Sequence, residues 1–151
     1  MPLVGVVMGS ANDAPLVDAA IKTLAEMGID YEVRVLSAHR QPENEREYGL
    51  SAPGRGIEVL IAAAGGAAHL AGVLAAWTPL PVIGLPLSTT ELKGTDALYS
   101  MVQMPGGVPV ATVAINGAKN AAHLAARILS LKHDSIRKAV EAHRQEMAKD
   151  W

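Results

Sequence analysis

The chain has 151 residues, half of them hydrophobic but only 3% aromatic, with a formal net charge of -2 and no cysteine. That length is one domain's worth and can bury a real core, while the even mixture of acid and base excludes the electrostatic footprint of a nucleic-acid or anionic-lipid binder. Without cysteine there are no disulfides, thiolate zinc sites or thiol redox chemistry, and no uninterrupted apolar run has the length of a membrane span.

In chain order, Val4–Met8 is a short β-branched run that predicts a strand. A helical stripe follows at Leu16, Ala20, Ile21, Leu24 and Met27, with Asn12 or Asp13 as N-cap, Pro15 in the first turn and Gly28 at the end. Residues 31–36 form a second strand, read as buried. Pro42 opens a second helix, rich in charge and limited by Gly49 and Pro53. Residues 59–63 are a third strand, 69–76 an Ala/Leu helix, 81–85 a fourth strand, 95–104 a helix and 110–115 a fifth strand. Helices over 118–131 and 135–149 complete the pattern, with no linker or repeat between them. Apolar strands joined one to the next by helices predict a parallel sheet covered on both faces, a flavodoxin-like three-layer α/β/α domain of order 2-1-3-4-5 spanning residues 1–151. With no Phe, the core must be built from Ala, Val, Leu and Ile, so that backbones approach closely and part of the buried area is expected across subunit interfaces.

In such sheets ligands bind beyond the carboxyl ends of the strands, where strand order reverses. Three loops with polar tips belong there: Gly9-Ser10-Ala11-Asn12-Asp13, Ser37-Ala38-His39-Arg40 and Gly65-Gly66-Ala67-Ala68-His69. The first leads into a helix N-terminus, where unpaired N–H groups favour an anion and Ser10 adds a hydroxyl, so phosphate is the natural candidate. Arg40 can make a bidentate contact to phosphate or carboxylate, and Asp13 can accept from sugar hydroxyls. Neither G-x-x-x-x-G-K-[ST] nor G-x-G-x-x-G occurs, which counts against nucleoside triphosphates and dinucleotides.

These blocks, together with Met8, Pro42, Ala64, Leu70, Leu80-Pro81-Val82-Ile83-Gly84, Val102-Gln103-Met104-Pro105, Val108-Pro109-Val110 and Asn120-Ala121, resemble the PurE family of purine biosynthesis, in its bacterial, mutase branch. The resemblance runs in register from about residue 3 to residue 131. Animal-type relatives, which carboxylate aminoimidazole ribonucleotide directly, carry an Arg-Ser-Asn core in the third loop instead. The resemblance implies transfer of a carboxylate from the exocyclic nitrogen of 5-(carboxyamino)imidazole ribonucleotide to the ring carbon, giving 4-carboxy-5-aminoimidazole ribonucleotide without metal, ATP or organic cofactor. It implies His39 as the acid-base group and His69 as a second polar wall that orients or relays. Ser10, Ser37 and Arg40 would hold the phosphate and Asp13 the ribose. Ala64, Gly65, Gly66, Ala67 and Leu70 would cover the base and the released carbon dioxide. It implies a homo-octamer with pockets shared between adjacent subunits, while the lack of cysteine and of an apolar signal segment leads to the expectation of a cytoplasmic setting.

The chain departs from the family pattern at Asn12, Gln41, Ala63, Ala71 and Ala97, and places Glu45 and Arg46 where the family has an apolar pair. A methyl at Ala63, where glycine is usual, is expected to narrow the site. His123, His133 and His143 are assigned to helices as structural or solvated residues, the Lys and Arg residues of 132–149 to the wet face of a terminal helix, and Met101 and Met104 to core or interface gaps. Two other classes stay open on these residues: a nucleotide-binding paralogue without turnover, and a flavin module, against which the shortage of aromatic residues speaks.

Overall fold

A computed structural model describes residues 1–149. Its strands are β1 (Val4–Met8), β2 (Tyr31–Val35), β3 (Val59–Gly65), β4 (Val82–Leu87) and β5 (Ala111–Thr112). Its helices are α1 (Ala14–Glu26), α2 (Pro42–Ser51), α3 (Leu70–Trp77), α4 (Thr95–Val102), α5 (Ala118–Ser130) and α6 (Asp134–Met147), with short 3-10 turns at Ala11–Asp13 and Pro53–Arg55. The sheet is parallel throughout, in the order β2-β1-β3-β4-β5.

Strand periodicity divides the core into two layers. Val4, Val6 and Met8 of β1 with Val59, Ile61 and Ala63 of β3 face α1, α5 and Ile136 of α6; Val7, Leu60, Ala62 and Ala64 face α2, α3 and α4. The first layer is closed by Ala118, Ala121, Ala122, Ala125 and Ala126 of α5, all buried, so that α1 and α5 pack with little side-chain volume between them. Met101 is fully buried in the second layer, and Met104 is half-buried against Gly72.

Several sequence-based expectations need correction. Strand β2 is not buried: Val33 and Val35 are 37% and 47% exposed, because β2 is the outermost strand and pairs only with β1. Leu36 lies past its end, though its N–H still donates to the Met8 carbonyl at 2.9 Å. Strand β5, expected over 110–115, is two residues long. It pairs on one side only, follows Pro109, and turns off after Val113 into the left-handed Asn116 at φ 59°. Strands β3 and β4 each run two residues past their expected ends, to Gly65 and Leu87. Asp13 is the N-cap of α1, as expected, but makes no side-chain cap bond; the side-chain cap belongs to Ser10, ahead of the 3-10 turn, whose Oγ accepts from Asn12 N at 3.2 Å. Gly49 lies inside α2 rather than ending it, and α4 and α6 stop short of their expected ends. His133 is not helical. It precedes α6 and, with Lys132, clasps Glu58 ahead of β3: Lys132 Nζ to Oε1 at 2.7 Å and His133 Nε2 to Oε2 at 2.9 Å.

The Arg46 guanidinium lies over the Trp77 ring, 5.1 Å from its centroid, tying α2 to α3. Glu45, one residue earlier, is fully buried with neither carboxylate oxygen hydrogen-bonded, and burial pushes its pKa up to about 7. No helix among the described residues is long and apolar enough to cross a membrane.

Candidate active site

Order reversal between β1 and β3 brings the three loops together. Gly9 N bonds the Ala63 carbonyl at 3.1 Å as the ends of β1 and β3 part, and a cavity of about 510 Å³ opens beyond them. The first loop supplies Ser10 and Asp13, the second Ser37, His39 and Arg40, and the third Ala64, Gly65, Ala67, His69 and Leu70. Gly66 does not line the cavity. It turns the backbone at φ +61°, which sends Ala67 back towards the site.

The two histidines meet although they stand on different loops. His39 Nε2 and His69 Nδ1 are 2.7 Å apart, with the rings edge to face at 88° and their centroids 4.9 Å apart. A bond that short holds one proton between the rings, one nitrogen donating and the other accepting. His69 is carried by the turn before α3, where its N–H donates to the Ala67 carbonyl at 2.9 Å and its own carbonyl receives Val73 N at 3.0 Å. His39 rides on a turn closed by Gln41 N to the Ser37 carbonyl at 2.8 Å and by Ser37 N to Gln41 Oε1 at 3.2 Å, so the unusual Gln41 pins the loop.

The remaining polar groups suit an anion with hydroxyls. Ser37 Oγ accepts from Arg40 N at 3.2 Å, as Ser10 Oγ accepts from Asn12 N. Each hydroxyl proton is left to donate outward. The Arg40 guanidinium is exposed and makes no ion pair among the described residues. Asp13 is 8% exposed, and burial raises its pKa against the lowering effect of a backbone hydrogen bond with Ser10.

Ala63 stands elsewhere than expected. Its methyl is buried in the layer facing α1 and α5 and does not line the cavity, so it does not narrow the site. The reading by sequence also missed lining residues. Thr89 enters from the segment after β4, and Asn12 and Ala38 join from the first two loops. The signal for Thr89 was the strand order itself, since β4 neighbours β3 and ends at the same edge.

His123 and His143 lie away from this edge. They stack on each other between α5 and α6, centroids 4.2 Å apart, in a second cavity of about 580 Å³. Burial, followed by repulsion from His143, holds the pKa of His123 below its ordinary value.

Known proteins match the chain in sequence and in fold. The AIR carboxylase family model matches residues 3–150. An N5-carboxyaminoimidazole ribonucleotide mutase from Thermotoga maritima is 55% identical over 150 residues, covering 99% of this chain and 88% of the relative. One from Pyrococcus abyssi is 55% identical over 147 residues, covering 97% and 84%. The crystal structure of Treponema denticola PurE superposes with a TM-score of 0.87 at 30% identity, covering 99% of this chain and 93% of that one. Sequence and fold agree over nearly the whole length, and the chain belongs to the AIR carboxylase, or PurE, family.

Proposed function

We propose that the His39–His69 pair carries out the mutase reaction by passing a single proton out to the substrate and back. The chain is an isomerase of purine biosynthesis acting on an imidazole ribonucleotide. In this mechanism His39 protonates the carbamate nitrogen, and the C–N bond breaks with its electron pair kept by that nitrogen. Carbon dioxide is freed, and the ring carbon attacks it to form the new C–C bond. The neutral imidazole then removes the proton from that carbon, which restores the aromatic ring and the starting state of the enzyme. His69 holds the His39 ring in place across the 2.7 Å bond. Ser10, Ser37 and Arg40 bind the phosphate, and Asp13 the ribose hydroxyls. The side-chain-poor run Ala64–Ala67 lets backbone amides approach the carboxylate and keeps carbon dioxide from escaping, with Leu70 walling the base.

The observation that carries this reading is the histidine contact inside a cavity that also holds Ser10, Asp13 and Arg40. The test is to mix the protein with 4-carboxy-5-aminoimidazole ribonucleotide, without ATP or metal, and follow its loss and the appearance of the carbamate isomer. Interconversion that disappears in His39→Asn supports the reading; saturable binding without interconversion overturns it. The same mixture made with aminoimidazole ribonucleotide and bicarbonate distinguishes direct carboxylation. The paralogue reading loses its support with Ala63 in the core, and no Phe, Tyr or Trp among the described residues lines the cavity for a flavin to stack on.

The proposed assembly is a cytoplasmic homo-octamer of one-domain chains. Exposed apolar groups on β2, α2 and α4 support association: Val35 is 47% exposed, Leu50 52% and Tyr99 59%. Light scattering on the eluting protein gives the mass that tests it.

A further inference from the structure

Two threonines of the segment between β4 and α4 close over the Gly65–Gly66 turn. A Cβ on Gly65 would collide with Thr89 Oγ1 and stand 2.9 Å from Thr89 Cβ, and one on Gly66 would lie 3.5 Å from Thr90 Cγ2. The threonine side chains therefore occupy the space that the glycines leave free.

Their hydroxyls are used differently. Thr90 Oγ1 donates to Asp96 Oδ2 at 2.6 Å and accepts from Leu92 N at 3.3 Å, so it is committed to the loop. The Thr89 hydroxyl has no hydrogen-bond partner among the described residues and lines the cavity beside His39, His69 and Gly65. Its backbone is pinned on both sides. Ser88 N donates to Asn116 Oδ1 at 3.0 Å, Asn116 N donates to the Pro86 carbonyl at 2.8 Å, and the Thr90–Asp96 bond follows. A free donor on an anchored loop, pressed against the glycine that faces the reacting group, is preorganised for an acceptor from the ligand.

We propose that the Thr89 hydroxyl donates a hydrogen bond to the carboxylate of the bound ribonucleotide and so positions it against Gly65. The inference rests on the mutase reading of this pocket. A carboxylate is a strong, charged acceptor, whereas neutral carbon dioxide and a ribonucleotide without the carboxylate offer no comparable partner. Thr89 therefore favours the carboxylated forms at either end of the reaction over the decarboxylated species between them.

The test uses the full chain with Thr89→Val, which keeps the β-branched shape packed on Gly65 but removes the donor, and Thr89→Ser, which keeps the hydroxyl. Affinities are measured for 4-carboxy-5-aminoimidazole ribonucleotide and for aminoimidazole ribonucleotide, which lacks the carboxylate. Thr89→Val is expected to weaken the carboxylated ligand by about tenfold and leave the other unchanged, with Thr89→Ser restoring the difference. Unchanged affinity for aminoimidazole ribonucleotide also reports an intact fold and phosphate site. Equal effects on both ligands, or no effect on either, overturn the role of Thr89. Failure of the unsubstituted protein to interconvert the isomers overturns the mutase reading instead, and the ratio of the two affinities still reads Thr89.

Discussion

Glu45 makes the chain less stable than it needs to be above neutral pH. Its carboxyl is fully buried with both oxygens unpaired, and its pKa rises from 4.5 to about 7 because burial penalises the charged form. The folded state therefore binds the proton more tightly than the unfolded state. Below pH 4.5 both states are protonated and ionisation costs nothing. As pH rises through 4.5 the unfolded chain ionises first, stability falls until about pH 7, and the loss is constant above that. The interval corresponds to about 3 kcal/mol at 1.36 kcal/mol per pH unit. Glu45→Gln keeps the shape but cannot ionise, so in urea unfolding at fixed protein concentration it should match the parent near pH 4.5 and exceed it by about 3 kcal/mol at pH 8. Glu45→Leu, which restores an apolar residue, should gain a further ~1 to 3 kcal/mol at both pH values by removing an unpaired polar group. A Glu45→Gln offset that is the same at pH 5 and pH 8 would refute the reasoning, since it would mean that the carboxyl ionises in the folded state without penalty.

Further outcomes follow from the site and its supports. His39→Asn should abolish interconversion while ribonucleotide binding, measured calorimetrically, stays within a few fold; loss of binding as well would contradict the division of roles. Arg40→Ala or Asp13→Ala should each weaken that binding by about 1.5 to 3 kcal/mol, as for one lost charged hydrogen bond. Glu58 is held below its ordinary pKa first by the Lys132 hydrogen bond and then by His133, so its contribution is present above pH 4.5 and lost as pH falls through its lowered folded value. Glu58→Gln should therefore cost up to about 1 kcal/mol at pH 7, discounted because Lys132 is 71% exposed, and nothing in strong acid. Gly65→Ala, which drives a methyl into Thr89, should cut turnover by ~100-fold through displacement of the loop, with thermal unfolding showing the fold retained.

What the sequence disclosed depended on how local the signal was. Strands β1 and β3 announce themselves because both faces are covered and every residue from Val4 to Met8 and from Val59 to Ala64 is buried. β2 alternates apolar residues with Glu32 and Arg34 and pairs only with β1, so Val33, Arg34 and Val35 face solvent, and the alternation was legible where the apolar reading overrode it. The Ser37–Arg40 and Gly65–His69 blocks were legible as loops, and strand order alone brought them to one edge. Their meeting at 2.7 Å depended on turns closed by Gln41 and Ala67, which no spacing reveals. Ser10 was expected at a phosphate and also caps the turn, since one hydroxyl accepts and donates at once. Thr89 went unread because threonine after a strand is ordinary turn chemistry until its partner glycine is located. Glu45 stood out in the sequence as a charge where the family pattern is apolar, and tertiary packing shows that position to be interior.

The hydrogen bond between His39 and His69 also governs how their removal combines. Two rings sharing a proton form one component of the machinery, and a component is lost whole. Free-energy losses in turnover on replacing His39 and on replacing His69 should therefore fail to add: the doubly substituted enzyme should be scarcely slower than the worse single variant. Replacing Arg40, proposed to hold the phosphate and not bonded to either ring, should instead add its full cost to either histidine change. Under the proposed mechanism the pocket divides into a coupled pair for the proton and independent anchors for the rest of the nucleotide.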